Sequence, residues 1–531
     1  MGRWSRAVRR RTVCLWLLLL GFALFTLVLP DLFSRDRHND PGSPSRSRYR
    51  APRAPDLEVI VDSRDPALEL DADLPPLKSL QEDQLLFVSG TKNPSQKKAY
   101  KVLLPGTNKD NRDVASAARG EAGNAMRLYL EDTGEDAEPS SLRKYGFNEA
   151  VSEGISVHRR LPEARHPRCL QQQYSESLPS ASVVICFHNE AWSTLLRTVH
   201  SVLSTAPRRH LRELLLVDDL SQHGHLKGVL SEYLSHLSRV RLLRSARRLG
   251  VAGCRALGAS KAEGELLVFM DSHCECQKGW LEPLLERVAQ DRTRVVSPII
   301  DAIDWRTFRY NATQWPVRGV FNWRLDFRWE SHTLLPDKDP GSAVRALRLC
   351  RRLTETARFR SPVLGGEVFA IDRHFFQHVG GFDPGMLLWG EEQIELSIRV
   401  WSCGGSMEVA PCSRVAHLDH HSLPYTFPDQ DLLENNKIRI AEIWMGAYRK
   451  IFYRRDTLAH FIRQVGGRER LLFEHLTRKR NRGNVSVQSE SPQITERLQL
   501  QKSLGCKNFQ WYLTTVYPQL YIPEDRPALS G

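Results

Sequence analysis

Three polar clusters stand where a chain could do chemistry: His188-Asn189-Glu190, Asp218-Asp219 and Asp271-Ser272-His273. Each directly follows an uncharged apolar run. Asp271 and His273 are two residues apart, and in an extended segment residues i and i+2 point to the same side. One carboxylate and one imidazole can then grip one ion. A mixed oxygen and nitrogen donor set suits Mn2+, with Mg2+ and Zn2+ as alternatives. There is no Walker A loop and no GxGxxG after a strand, which argues against P-loop enzymes and dinucleotide oxidoreductases. A cation placed there fits a nucleotide diphosphate, whose charge on departure it would neutralise. Asp-x-His alone is a weak motif, and capping or turn formation by Asp and Asn is the plain alternative for any single cluster.

The elements that must position these clusters follow from periodicity. Ala181-Ser182-Val183-Val184-Ile185-Cys186-Phe187, Leu214-Leu215-Leu216-Val217, Val240 to Leu243 and Leu266-Leu267-Val268-Phe269-Met270 read as buried strands. Trp192, Leu195, Leu196, Val199, Val202 and Leu203 recur at helical spacing, as do Leu226, Val229, Leu230, Tyr233, Leu234 and Leu237. Strands alternating with amphipathic helices predict an α/β fold with a parallel sheet covered on both faces. In such sheets ligands bind beyond the carboxyl ends of strands, where all three clusters lie.

Composition narrows the class. The chain has 531 residues, 41% hydrophobic and 26% charged, enough to build a packed core. Basic residues exceed acidic ones by 75 to 62, and five of the excess, Arg3, Arg6, Arg9, Arg10 and Arg11, precede an uncharged apolar run from Thr12 to Leu29. Nucleic acid is therefore not the expected partner. The run predicts a single transmembrane signal anchor over 12–30, behind a cytosolic tail of 1–11. A cleaved signal peptide is the alternative. Residues 31–140, rich in Ser, Pro, Asp and Arg, read as a stem. Ten cysteines are too few for a disulfide scaffold. With Cys14 in the span, nine remain on the lumenal side, an odd number. Asn311-Ala312-Thr313 and Asn484-Val485-Ser486 fit the N-glycosylation pattern.

Longer segments carry a resemblance: VICFHNEAWSTLLRTVHSV from Val184 to Val202, Leu216-Val217-Asp218-Asp219, Asp271-Ser272-His273-Cys274-Glu275-Cys276, Gly279-Trp280-Leu281-Glu282-Pro283-Leu284-Leu285, Val317-Arg318-Gly319 with Phe321-Asn322-Trp323, and Cys412-Ser413-Arg414-Val415-Ala416-His417. Over about 145–525 the chain resembles the polypeptide N-acetylgalactosaminyltransferases, Golgi enzymes that start mucin-type O-glycosylation. The resemblance implies a GT-A (Rossmann-like) catalytic domain over 145–525, Mn2+ as cofactor, UDP-GalNAc as donor, and Ser or Thr of a protein as acceptor. It implies a single-pass type II protein of the Golgi membrane with a lumenal catalytic domain. Asp271, His273 and His417 match the family's metal ligands. His188, Asp219, Arg248 and Gly366 match donor-binding positions. Trp389 and Glu392 match the sugar-side motif, and Tyr425 ends the loop that closes over the donor. The resemblance also supplies two disulfides, Cys169–Cys412 and Cys403–Cys506. The family usually continues into a lectin domain, which the residues at 526–531 do not begin.

Several positions depart from the family pattern. Gly-Gly-Leu-Phe becomes Gly366-Glu367-Val368-Phe369, and Trp-Gly-Gly-Glu-Asn becomes Trp389-Gly390-Glu391-Glu392-Gln393. Glutamate adds bulk and negative charge where glycine allows close approach. The closing loop reads His417-Leu418-Asp419-His420-His421-Ser422-Leu423-Pro424-Tyr425, with histidines replacing a fixed cation. Arg248-Leu249-Gly250-Val251-Ala252-Gly253 lacks the family's last arginine. Two function classes follow: a metal-dependent transferase, or a weak or inactive Golgi relative that binds acceptors or sister enzymes. His420 and His421 read as a solvated loop, with a second metal site as the alternative. Cys274 and Cys276 read as core thiols. The aromatic residues from 321 to 329 read mainly as core.

Overall fold

The computed structural model describes residues 59–62, 87–88, 100–101, 120–125, 140–314, 317–331, 358–422, 432–464 and 492–523. The anchor expected over 12–30 lies outside them, as do Tyr425 and Asn484. Among the described residues no helix is long and apolar enough to cross a membrane.

The apolar runs become strands of an 11-stranded sheet. In chain order the strands that matter are β1 (Val59–Asp62), β2 (Ala181–Phe187), β3 (Leu211–Asp218), β4 (Val240–Ser245), β5 (Leu266–Asp271), β6 (Cys274–Cys276), β7 (Arg294–Ile303), β8 (Val368–Asp372) and β9 (Ser406–Leu418). They lie in the order β1-β4-β3-β2-β5-β8-β7-β9, with Phe359–Arg360 at the far edge and β6 paired to β9. Strands β4, β3, β2 and β5 are mutually parallel, as the sequence predicts. The other half corrects the expectation of a wholly parallel sheet, because β8 runs antiparallel to both β5 and β7. A parallel neighbour needs a crossover connection, usually helical. The described residues leading into β8, 358–367, contain no helix.

Both faces of the sheet are covered. Alternate residues of β2 point to opposite faces, so Val183 and Ile185 join one apolar cluster and Val184 the other. Helix α1 (Trp192–Thr205) buries Leu195, Leu196, Val199 and Val202, the stripe its periodicity predicts. Helix α2 (Gly228–Ser235) follows β3, and α3 (Gly250–Lys261) follows β4. Helices α4 (Leu281–Gln290), α5 (Glu392–Ser402) and α6 (Leu432–Trp444) complete the layers needed below. Cys169–Cys412 and Cys403–Cys506 are both formed. Cys274 and Cys276 are buried free thiols, as read from the sequence.

Candidate active site

The chain leaves β2 for β3 on one side and returns to β5 on the other, so the strand order reverses at β2. That switch point opens a crevice at the carboxyl ends of the strands. Asp271 is the last residue of β5 and pairs with Cys186 near the end of β2. The chain then turns at Ser272 and His273 before β6. Asp271 and His273 therefore share a site through a turn and not through the extended segment expected. Strand β6 pairs antiparallel with β9, and His417 stands opposite Cys274. This pairing carries His417 across 144 residues to His273, with the two Nε2 atoms 3.0 Å apart. His417 Nε2 also lies 3.5 Å from Asp271 Oδ2. One ligand atom from each of the three residues falls within 4.8 Å of the others.

The electrostatics suit a cation. Glu190 Oε2 accepts a hydrogen bond from His273 Nδ1 at 3.1 Å, which leaves Nε2 bare to ligate. Burial alone would raise the Asp271 carboxyl. The Arg255 guanidinium, 2.6 Å away, and the two imidazoles hold it well below the usual carboxylate range. Burial pulls His417 down, but its hydrogen bond to Asp271 and that carboxylate's charge leave it raised. An ionised carboxylate and two imidazoles at this spacing form a donor set that fits a divalent ion.

On the nucleotide side the predicted residues engage one another. His188 Nδ1 donates to the Asp219 carbonyl at 2.8 Å. The Asp219 carboxylate accepts from the Leu249 and Gly250 amides at 2.6 and 3.0 Å, capping the start of α3, and pairs with Arg248. Gly250 has φ 71°, and a Cβ there would meet the Leu388 backbone at 2.4 Å, so glycine is required. That close approach docks Leu388 beside α3, and Val251 N donates to Leu388 O at 2.6 Å.

Trp389 on the sugar side follows directly. Its loop is held by Asn436 of α6, whose side chain accepts from Leu387 N at 2.8 Å and donates to the carbonyls of Leu387 and Gly390 at 2.9 and 3.0 Å. Glu392 begins α5 and accepts from Gly390 N at 2.9 Å. Gly366 has φ 97°, and its carbonyl accepts from Arg255 Nη2 at 2.8 Å. Glu367 and Glu391, the two departures, both line this end of the cavity. Each has a buried Oε2 with no hydrogen-bond partner. Glu391 adopts φ 66°, a left-handed conformation that favours glycine. Burial pushes its carboxyl up to about 8, and burial also raises Glu367.

His420 corrects the solvated-loop reading. Its ring packs against His273 at 4.5 Å between centroids and against Phe147 at 5.7 Å, and it lines the cavity. Burial, with the neighbouring imidazoles, lowers it to about 2. His421 is exposed, as expected, against Trp305. Of the 321–329 aromatics, Phe321 and Trp323 are buried, whereas Phe327 reaches the cavity.

Together the groups line one cavity of about 940 Å³ holding His188, Asp219, Arg248, Asp271, His273, Gly366, Trp389, Glu392 and His417, near the upper end of the range for small-molecule sites. Sequence reasoning missed Glu190 as the partner of His273, Arg255 as the partner of Asp271, and Asn436. For Glu190 the signal was present, since it closes the cluster after β2. An arginine on the inner face of a helix gave a weaker hint for Arg255. Nothing local marks Asn436.

The fold and cavity define a GT-A glycosyltransferase. Residues 182–352 match the model of glycosyl transferase family 2, and residues 353–421 that of the N-terminal domain of galactosyltransferase. Human polypeptide N-acetylgalactosaminyltransferase 15 is 43% identical over 498 residues, 91% of this chain and 71% of the relative. Human polypeptide N-acetylgalactosaminyltransferase 6 is 38% identical over 99% of this chain and 80% of the relative. The crystal structure of GalNAc-T7 with UDP, GalNAc and Mn2+ aligns with TM-score 0.60 and 32% identity, covering 75% of this chain and 68% of that one. The chain belongs to the polypeptide N-acetylgalactosaminyltransferase family.

Proposed function

We propose that the chain transfers N-acetylgalactosamine from UDP-GalNAc to Ser or Thr hydroxyls of acceptor proteins, starting mucin-type O-glycosylation. The observation that carries this reading is the meeting of Asp271, His273 and His417 within 4.8 Å at one wall of a cavity that also holds His188, Asp219 and Arg248. Those three ligands would hold Mn2+, which supplies charge neutralisation for a departing diphosphate. Glu190 keeps His273 in the ligating tautomer. Arg255 keeps Asp271 anionic. His188 and Arg248 face the nucleotide end, and Trp389 and Glu392 the sugar end. Tyr425, which lies outside the described residues, enters this reading only through the resemblance, as the end of the loop that would close over the donor. Mass-spectrometric detection of GalNAc on Ser/Thr peptides incubated with UDP-GalNAc and Mn2+ tests the reading. No transfer to any peptide, with UDP binding intact, would sink it.

The second reading, a weak or inactive relative that binds acceptors or sister enzymes, is favoured by Glu367 and Glu391. Each lines the cavity and carries a buried oxygen without a hydrogen-bond partner, where the family pattern has glycine. Either protein would sit in the Golgi membrane as a single-pass type II chain, with 12–30 as anchor, 31–140 as stem and a lumenal catalytic domain. The arginine cluster ahead of the uncharged run supports this, and so do two disulfides, which suit an oxidising compartment. In intact microsomes, protease should spare everything after about residue 31; digestion of the bulk from outside would reject the orientation.

A further inference from the structure

We infer that Cys186 and Cys254 form a thiol–disulfide exchange site inside the donor cavity. Both line it, and both are free thiols. The fold brings them together through the packing of α3 on β2. Gly258 of α3 lies so close to the strand that a Cβ there would meet Val184 Cγ1 at 2.3 Å. Two residues further along β2, on the same face, is Cys186. Four residues back along α3, again on the same face, is Cys254. The steps match, roughly 6.6 Å along the strand and roughly 6 Å along the helix. Cys254 Sγ sits 3.5 Å from the carbonyl of Val217, and Val217 is the direct cross-strand partner of Cys186. Both cysteines pack into the same apolar cluster, Cys254 buried within it and Cys186 at its margin.

The two sulfurs differ in access. Cys254 is 1% exposed, and burial raises its thiol well above the ordinary range. Cys186 is partly exposed, at the cavity wall one residue before Phe187 and two before His188. Cys186 is therefore the entry thiol and Cys254 the resolving one. The co-reactant is a small disulfide such as glutathione disulfide. The Cys186 thiolate attacks one glutathione sulfur, forming a mixed disulfide and releasing one glutathione thiolate, which takes up the proton that Cys186 gave up. Cys254, on losing its proton, then attacks the Cys186 sulfur. A Cys186–Cys254 disulfide forms, and the second glutathione leaves as a thiol. The protein loses two electrons and two protons, which the glutathione disulfide gains. The intermediate adduct would fill the nucleotide end of the cavity. That consequence rests on the donor reading above, but the bond itself does not.

The test treats the purified full chain with glutathione disulfide, alkylates it, and maps peptides without reduction. The wild type should yield a linked Cys186–Cys254 peptide. Cys254→Ala should stop at a glutathione adduct on Cys186, and Cys186→Ala should leave Cys254 unmodified, with circular dichroism checking that each variant is folded. Recovery of both cysteines as unlinked, unmodified thiols overturns the site. In protein shown by calorimetry to bind UDP with Mn2+, that ligand should slow adduct formation in Cys254→Ala at least tenfold. An unchanged rate there overturns the placement at the nucleotide end. If calorimetry shows no UDP binding, the mapped peptides still decide the site, and the failure falls on the functional reading alone.

Discussion

Glu190 and His273 form a carboxylate–imidazole pair, 3.1 Å from Oε2 to Nδ1, and the same oxygen accepts from the Ser272 hydroxyl at 2.7 Å. The pair fixes which nitrogen of His273 faces His417. Glu190→Gln keeps the shape but removes the charge, and its amide can present a donor to Nδ1. Partners of this kind change metal affinity by about 10–100-fold. Titration calorimetry with Mn2+ and UDP should show a loss in that range, with the far-ultraviolet dichroism unchanged. An affinity equal to the parent's would take Glu190 out of the site.

Asp271→Ala should abolish metal-dependent UDP binding, because it removes both a ligand and a charge. It should also lower thermal stability, since Arg255 is buried and loses its ion-pair partner. Breaking a buried pair from one side costs about 3–5 kcal/mol. Calorimetry and a melting curve on one preparation check both halves. Unaltered UDP affinity in the variant would count against the assignment.

Glu391 predicts a pH dependence. Burial raises its folded carboxyl to about 8 from an ordinary 4.5. Above pH ~4.5 the unfolded chain releases a proton that the folded chain keeps, so stability falls as pH rises towards 8, by at most about 1.4 kcal/mol per pH unit. Glu391→Gln removes this slope. Its melting temperature should gain on the parent's steadily between pH 5 and pH 8. Parallel curves for the two proteins over that range would show that Glu391 does not titrate in this way.

The double substitution Glu367→Gly, Glu391→Gly should improve binding or turnover of UDP-GalNAc. At position 391 it also relieves a left-handed backbone, which costs a non-glycine residue about 1–2 kcal/mol. Above about pH 8, where the folded Glu391 ionises, a carboxylate ~4 Å from a phosphate would be unfavourable by ~4 kcal/mol at an effective dielectric near 20, and every 1.4 kcal/mol is about tenfold in affinity; at lower pH the gain comes from removed bulk and the relieved backbone. Donor titrations in the presence of Mn2+ decide it. If the variant binds no better than the parent, the electrostatic account of weak donor use fails, and His420 becomes the next residue to change.

Much of this site is written locally. Apolar runs ending in His188, Asp219 and Asp271 mark strand ends because burial and periodicity act over a few residues. The Asp271–His273 pair is visible because both ligands sit in one turn. What escaped depends on tertiary register. The antiparallel entry of β8 places Glu367 O as acceptor for Asp271 N at 3.0 Å, and no pattern within 368–372 distinguishes that from a parallel strand. Asn436 clamps the Trp389 loop from 47 residues away, and its own surroundings read as ordinary helix. His420 looked solvated because its neighbours are polar; it is covered by Phe147, far away in sequence.

The pairing of β6 with β9 has a consequence for the order of events during synthesis. Asp271 and His273 leave the ribosome 144 residues before His417, counted from His273. At about 5–20 residues per second, seconds pass in which only two of the three ligands exist. A nascent chain halted anywhere before β9 should therefore hold Mn2+ no better than an isolated Asp-x-His peptide. Tight ion binding is in this sense a readout of completed tertiary structure, and it ties the chain's two halves together across a gap whose closure entropy grows only slowly with length.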